Sequence, residues 1–328
     1  MRRHKPNLRI SLLVLVVVLA MVAAACGSDD ASADENLPTI IVTTSIWGDV
    51  VENLVGDDAN VEVIIPIGAD AHDFSPSSQQ VAAIQTADLV VANGLGLEEG
   101  LEDVLEAAAA DGVNVLEVAP LVNPIPFGLD DEHSDEEHSD EEGEHADEHA
   151  HDGDDPHVWM DPDRVALAAL EITEALTALD GTIDWMGRAV SYSDELKRAG
   201  VEAGEMLAVV AADQRKLVTN HEALGYFADR FDFEVVGVVF PGGSTLSDPS
   251  SAELAELVET MEEEGVSTIF GESSSPSTLA DAVAAEVGNE VQVVELYTES
   301  LGEPGSGADT VIGMTLTNAE RVAGSLGG

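Results

Sequence analysis

From residue 39 onward, short unbroken apolar runs alternate with longer stretches in which apolar residues recur every three or four positions. The short runs are rich in β-branched residues and read as strands: Thr39–Thr44, Asn60–Ile65, Asp88–Ala92 and Asn114–Val118. The periodic stretches between them read as helices. One covers Ile46–Val55 and stops at Gly56; a second is capped by Ser77 or Ser78 and runs to Thr86; a third covers Leu97–Ala110 and stops near Gly112. After a gap the pattern predicts a helix over Pro162–Leu179 and one long helix over Ile183–Val210. Gly187, Gly200 and Gly204 each weaken that long helix by about 1 kcal/mol. The alternation then resumes, with strands Lys216–Thr219, Glu234–Val239, Ser267–Gly271 and Val291–Leu296 and helices Glu222–Arg230, Pro249–Glu264, Pro276–Val287 and Asp309–Ala323. Strands that are apolar on both faces belong in parallel sheets covered on both sides. The predicted fold is α/β, with two lobes, each a mainly parallel sheet flanked by helices, joined by one long helix.

The pattern fails in two places. Residues 1–26 carry Arg2, Arg3, Lys5 and Arg9, then an apolar core over 10–22 and small residues before Cys26, which is the chain's one cysteine. This is an export signal, too short for a comfortable membrane span. A lone cysteine directly after such a core resembles the lipidation site of bacterial lipoproteins, although Ala23 stands where Leu is usual. Residues 27–38 read as a small, acidic tether. The second break, 130–155, holds 15 acidic residues and five histidines and no large apolar side chain, and reads as a loop. The expected organisation is a signal peptide over 1–26, a tether over 27–38, an N-terminal lobe over 39–182 that includes the 130–155 loop, a linking helix over 183–211, and a C-terminal lobe over 212–328.

Charge narrows the partners. The net charge is −53, and all 65 acidic residues follow Cys26 while four of the twelve Lys and Arg precede it. Such a field disfavours nucleic acid and anionic membrane and attracts cations. With one cysteine at the leader's end, neither a disulfide framework nor a cysteine–zinc site is available to the body of the chain.

The histidines carry the chemistry. His4 lies in the leader, and His133, His138, His145, His149 and His151 lie in the acidic run. The other three of the nine, His72, His157 and His221, each fall in a short loop after a predicted strand or the acidic run. Glu299 follows the strand Val291–Leu296. Open parallel sheets bind ligands beyond the carboxyl ends of their strands, so these four can meet in a cleft between two lobes. Three imidazoles and a carboxylate suit Zn²⁺, and nitrogen-rich ligation favours it over Mn²⁺. For the fourth position Glu272, Asp70 or water compete with Glu299. Glu222 and Asp161 read as helix-start residues or as partners of the ligands. Because imidazole must be neutral to ligate, affinity should fall as pH drops through roughly 6.5. The five loop histidines read as a weak auxiliary metal trap.

Four segments give a specific resemblance: ADAHDFSP (69–76), DPHVWMDP (155–162), NHEALGYFADRF (220–231) and YTESLG (297–302). With the helix–strand–helix pattern of 250–288, they resemble the metal-binding lipoproteins of the zinc/manganese ABC importers, the cluster A-I solute-binding proteins, over residues 39–325. Ala71 stands where that family usually has Pro, and Glu299 where Asp is common. His221 and the acidic histidine-rich loop match the zinc type. The resemblance implies His72, His157, His221 and Glu299 as metal ligands and a rigid interlobe helix that limits closure. It also implies a lipid anchor at Cys26 on the outer face of the cell membrane, and capture of Zn²⁺ as a monomer for delivery to a permease with a cytoplasmic ATPase. It implies no enzymatic activity. Other readings are a manganese importer component, a surface adhesin or zinc buffer, and a zinc hydrolase. The last would need an open coordination position and an acid or base, for which Glu222 or Glu272 are the available carboxylates. The helical H-E-x-x-H signature is absent from the sequence.

Overall fold

Strand β1 (Thr39–Val42) pairs in parallel with β2 (Asn60–Val63) on one side and β3 (Leu89–Ala92) on the other, and β3 pairs with β4 (Val115–Glu117). A second parallel sheet repeats this plan: β5 (Lys216–Thr219) lies between β6 (Glu234–Val238) and β7 (Thr268–Glu272), and β7 pairs with β8 (Gln292–Leu296). The orders are β2-β1-β3-β4 and β6-β5-β7-β8. The computed structural model describes residues 37–127, 153–246, 249–288 and 291–327, and every element here belongs to one unit that starts at Pro38. The expected signal segment, Cys26, residues 27–36 of the expected tether and all five loop histidines lie outside the described residues.

Nine α-helices connect and flank the described strands: α1 (Ser45–Val55), α2 (Ser78–Thr86), α3 (Glu102–Ala110), α4 (Pro162–Leu179), α5 (Trp185–Leu207), α6 (Gly225–Phe231), α7 (Ser251–Glu264), α8 (Thr278–Val287) and α9 (Val311–Leu326). Their ends follow local chemistry. Ser77 and Ser250 form reciprocal capping boxes with Gln80 and Glu253. Asp161 caps α4, with Pro162 at its first position. Gly265 ends α7 in the left-handed conformation at φ 68°.

Burial follows the strand period of two. Leu217 and Phe270 face one core, shared with the first sheet, α4, α5 and α9, while their neighbours Val218 and Ile269 face a second core beneath α7 and α8. The second sheet is therefore covered on both faces, as its apolar strands require. The long helix α5 leads from the N-terminal lobe to β5. Asp49 of α1 accepts hydrogen bonds from Tyr192 Oη of α5 at 2.7 Å and from the Val311 amide that opens α9 at 3.1 Å, so one carboxylate fastens three helices.

Several helices begin later than the periodicity predicts, two of them by the widest margin. In place of a helix from Leu97 there is a 3₁₀ turn at Glu99–Leu101 before α3. Buried Glu98 spends its carboxylate on the amides of Asn93 and Gly94 and on Thr43 Oγ1 instead of continuing a helix. Similarly, α6 starts at Gly225, not Glu222, because the amide of Ala223 and the hydroxyl of Thr219 both donate to His221 O in a tight turn. The linking helix runs Trp185–Leu207, inside the expected 183–210, with Asp184 capping its start.

Candidate metal centre

The carboxyl ends of both sheets face one cleft, and the strand-end loops deliver four side chains into it. His72 follows β2, His157 precedes the 3₁₀ turn Val158–Met160 that leads into α4, His221 follows β5, and Glu299 follows β8. One ligand atom from each of these four lies within 4.8 Å of all the others, and all four residues are at most 3% exposed. The Nε2 atom of His157 is 3.4 Å from Nε2 of His72 and 3.2 Å from Nε2 of His221. Glu299 places Oε1 3.3 Å from His157 Nε2 and 3.6 Å from His221 Nε2, and Oε2 3.9 Å from His72 Nε2. Zinc–nitrogen bonds of about 2.0–2.1 Å at tetrahedral angles put ligand atoms about 3.3 Å apart, so the imidazole spacings already match such a shell. Neither Glu299 oxygen accepts a hydrogen bond of good geometry, although both are buried. A buried carboxylate calls for a cation, and in the metal-free protein the His157 imidazolium 3.3 Å away supplies one.

The rings are held from behind. His157 Nδ1 lies 2.6 Å from Asp155 Oδ1, which also accepts the His157 amide at 2.9 Å. Tyr226 Oη donates to Asp155 O at 2.6 Å. His221 Nδ1 pairs with Glu272 Oε1. His72 receives a backbone constraint alone, its amide donating to Asp70 Oδ1 at 2.9 Å. Such outer carboxylates set the tautomer and make Nε2 the donor atom offered to a metal. Asn93 adds a further brace. Its Nδ2 donates to Pro156 O at 3.0 Å, while its Oδ1 accepts from Trp47 Nε1 at 2.9 Å. Trp159 Nε1 donates to Thr298 O at 2.6 Å, joining the His157 segment to the Glu299 loop across the cleft.

Electrostatics divide the three imidazoles. Burial, helped by the other two rings, lowers His72 to about 3 in the metal-free protein and keeps it neutral. Burial also opposes charge on His157, but the carboxylates of Glu299 and Asp155 outweigh it and raise the group to about 10. His221 is raised in the same way, as Glu272 overcomes the burial penalty. Burial pushes Glu299 up, yet the histidines beside it bring it down to about 2, so it stays anionic. The expected loss of metal affinity near pH 6.5 therefore moves upward, because His157 holds its proton to about 10 and His221 is raised as well.

Each residue predicted for the cleft has a definite place. His72, His157, His221 and Glu299 are brought together. Glu272 and Asp70 lie behind the rings, engaged by His221 Nδ1 and the His72 amide. Asp161 caps α4, and Glu222 sits in the turn ahead of α6. Asp155, read as the end of a loop, is 2% exposed and holds His157. The repeated Asp-x-His spacing of Asp70–His72 and Asp155–His157 was the available signal for it. Glu98 and Asn93 left no such signal.

Residues 40–324 match the family model of ZnuA, described as the periplasmic component A of a zinc-uptake complex. The chain belongs to this family. The ZnuA family comprises solute-binding proteins for metal import, not enzymes, and this member is a metal-binding component of an ABC importer for zinc or manganese. Its relatives carry both metals in their names. The manganese-binding lipoprotein MntA of Halalkalibacterium halodurans is 28% identical over 316 residues, 95% of this chain and 97% of that one. The zinc-binding lipoprotein AdcA of Streptococcus pneumoniae is 30% identical over 293 residues, 89% of this chain and 56% of the relative. Among known structures, the periplasmic zinc-binding protein TroA from Treponema pallidum superposes with a TM-score of 0.76 at 25% identity, covering 88% of this ZnuA-family chain and 99% of that one. TroA thus shares the two-lobed architecture described above. No helix among the described residues is long and apolar enough to cross a membrane.

Proposed function

We propose that this protein captures Zn²⁺ in the interlobe cleft, with His72, His157, His221 and Glu299 as its ligands, and delivers it to an ABC permease powered by a cytoplasmic ATPase. The observation that carries this reading is the convergence of three buried Nε2 atoms on one buried carboxylate whose oxygens accept no hydrogen bond of good geometry. Three imidazoles and one carboxylate favour zinc over manganese, which suits oxygen-rich sites. Cys26 anchors the protein as a lipoprotein outside the cell membrane, and the run 130–151, with five histidines, recruits metal weakly beside the cleft. Residues 39–182 and 212–328 serve as the two lobes and 183–211 as the link. The protein works as a monomer.

Manganese is the second reading, supported by the manganese-binding relative and by the carboxylate in the shell. Competition decides between them. The full-length chain is loaded with Mn²⁺ and titrated with Zn²⁺ while released manganese is followed by its electron paramagnetic resonance. Stoichiometric displacement by equimolar zinc is expected. Retention of manganese against a tenfold excess of zinc would reverse the assignment.

A further inference from the structure

His157 and His221 share an arrangement that His72 does not complete. Each points Nε2 at the common centre and holds Nδ1 against a carboxylate, Asp155 or Glu272. The Nδ1 atom of His72 is buried and has no hydrogen-bond partner. The carboxylate facing it belongs to Glu99, whose Oε1 lies 3.8 Å away. Glu99 opens the 3₁₀ turn Glu99–Leu101, and its side chain is 43% exposed, so it has room to change rotamer. The same Oε1 accepts a hydrogen bond from Ser244 Oγ at 2.7 Å. Ser244 lies in the stretch 241–246, which the C-terminal lobe extends after β6. The next residue, Thr245, donates to Asp70 Oδ2 at 2.6 Å, and the other oxygen of Asp70 accepts the His72 amide. Stretch 241–246 thus already touches both residues that flank His72. A neutral imidazole that gives Nε2 to a metal carries its proton on Nδ1. Buried without an acceptor, that N–H weakens the bound state.

We propose that Glu99 is the positioning residue for His72. With zinc bound, its carboxylate turns to accept the His72 Nδ1–H and keeps Ser244 on its other oxygen, so one side chain couples the metal to closure of 241–246 across the cleft. The proposal rests on His72 being a ligand.

The test compares full-length wild type, Glu99→Ala and Glu99→Gln in zinc affinity by chelator competition. The loop histidines are the same in all three, so differences report the cleft. Glu99→Ala is expected to weaken zinc about 10–100-fold. Glu99→Gln, whose amide oxygen can accept the same bond, retains most of the affinity, and the metal-free melting temperature stays within experimental error in both. In the zinc-loaded protein labelled with ¹⁵N-histidine, the protected Nδ1–H resonance assigned to His72 by its absence in His72→Gln is present in wild type and lost in Glu99→Ala. Affinity within twofold of wild type in Glu99→Ala, or equal losses in the Ala and Gln variants, overturns the role of Glu99 while leaving the site intact. A wild-type chain with no tight zinc site overturns the ligand assignment itself.

Discussion

At the scale of the residue, the site is a balance between burial and charge. Burial alone would keep all three imidazoles neutral, and His72 shows that outcome with a value of about 3. His157 reaches about 10 and His221 is raised because Glu299, Asp155 and Glu272 surround them with negative charge. These protons stand where a metal must bind, so zinc competes with them. The sign follows: groups with raised values hold protons below those values, binding expels them, and affinity climbs with pH up to the raised values and falls steadily on acidification. At pH 7.5, calorimetry in buffers of different ionisation enthalpy should show release of at least about one proton per zinc, from His157, with a further share from His221. Binding without proton release would contradict this electrostatic account. The four grouped residues were legible in the sequence as histidines or an acid in loops after a strand or after the acidic run, and the Asp-x-His spacing pointed to Asp155. Glu272 was legible as an acid near the site but not as the partner of His221, because 51 residues separate them and only the β5–β7 pairing sets them side by side.

At the scale of the element, strands were read to within two residues, because an apolar β-branched run in a doubly covered sheet has few alternatives. Helix starts were harder. Where a carboxylate or a hydroxyl competes for backbone groups, as at Glu98 and Thr219, periodicity overruns the true boundary. The glycines of α5 show the same limit. On propensity all three weaken the helix alike, yet their surroundings differ. A Cβ on Gly200 would lie 2.8 Å from Pro162 Cγ, at the start of the helix that follows His157, whereas a Cβ on Gly204 would meet Phe231 at an ordinary 3.9 Å. Gly204→Ala should therefore stabilise the protein by about 0.5–1 kcal/mol. Gly200→Val should destabilise it by about 1–3 kcal/mol through overpacking. Denaturant melts of both variants check the pair, and a Gly200→Val protein as stable as wild type would mean that the α4–α5 contact is looser than its geometry.

At the scale of the whole molecule, the two sheets carry the same strand order and open their carboxyl ends on one cleft, which is why residues from 72 to 299 can share one site. The alternating pattern made both lobes legible; the hydrogen bonds that stitch them, such as Trp159 to Thr298, were not, because no local pattern encodes a contact across 139 residues. Four candidate donors of the cleft all lie among the described residues. Deleting 130–151 should accordingly leave one tight zinc site and remove weak ones, as read by calorimetric stoichiometry; loss of tight binding would transfer the principal site to that run. The most direct test of the central claim is a calorimetric zinc titration of the full-length chain beside the His72→Ala/His157→Ala/His221→Ala variant. The account predicts one tight site in the wild type that vanishes in the variant while weaker binding persists. Equal tight binding by both proteins would contradict it.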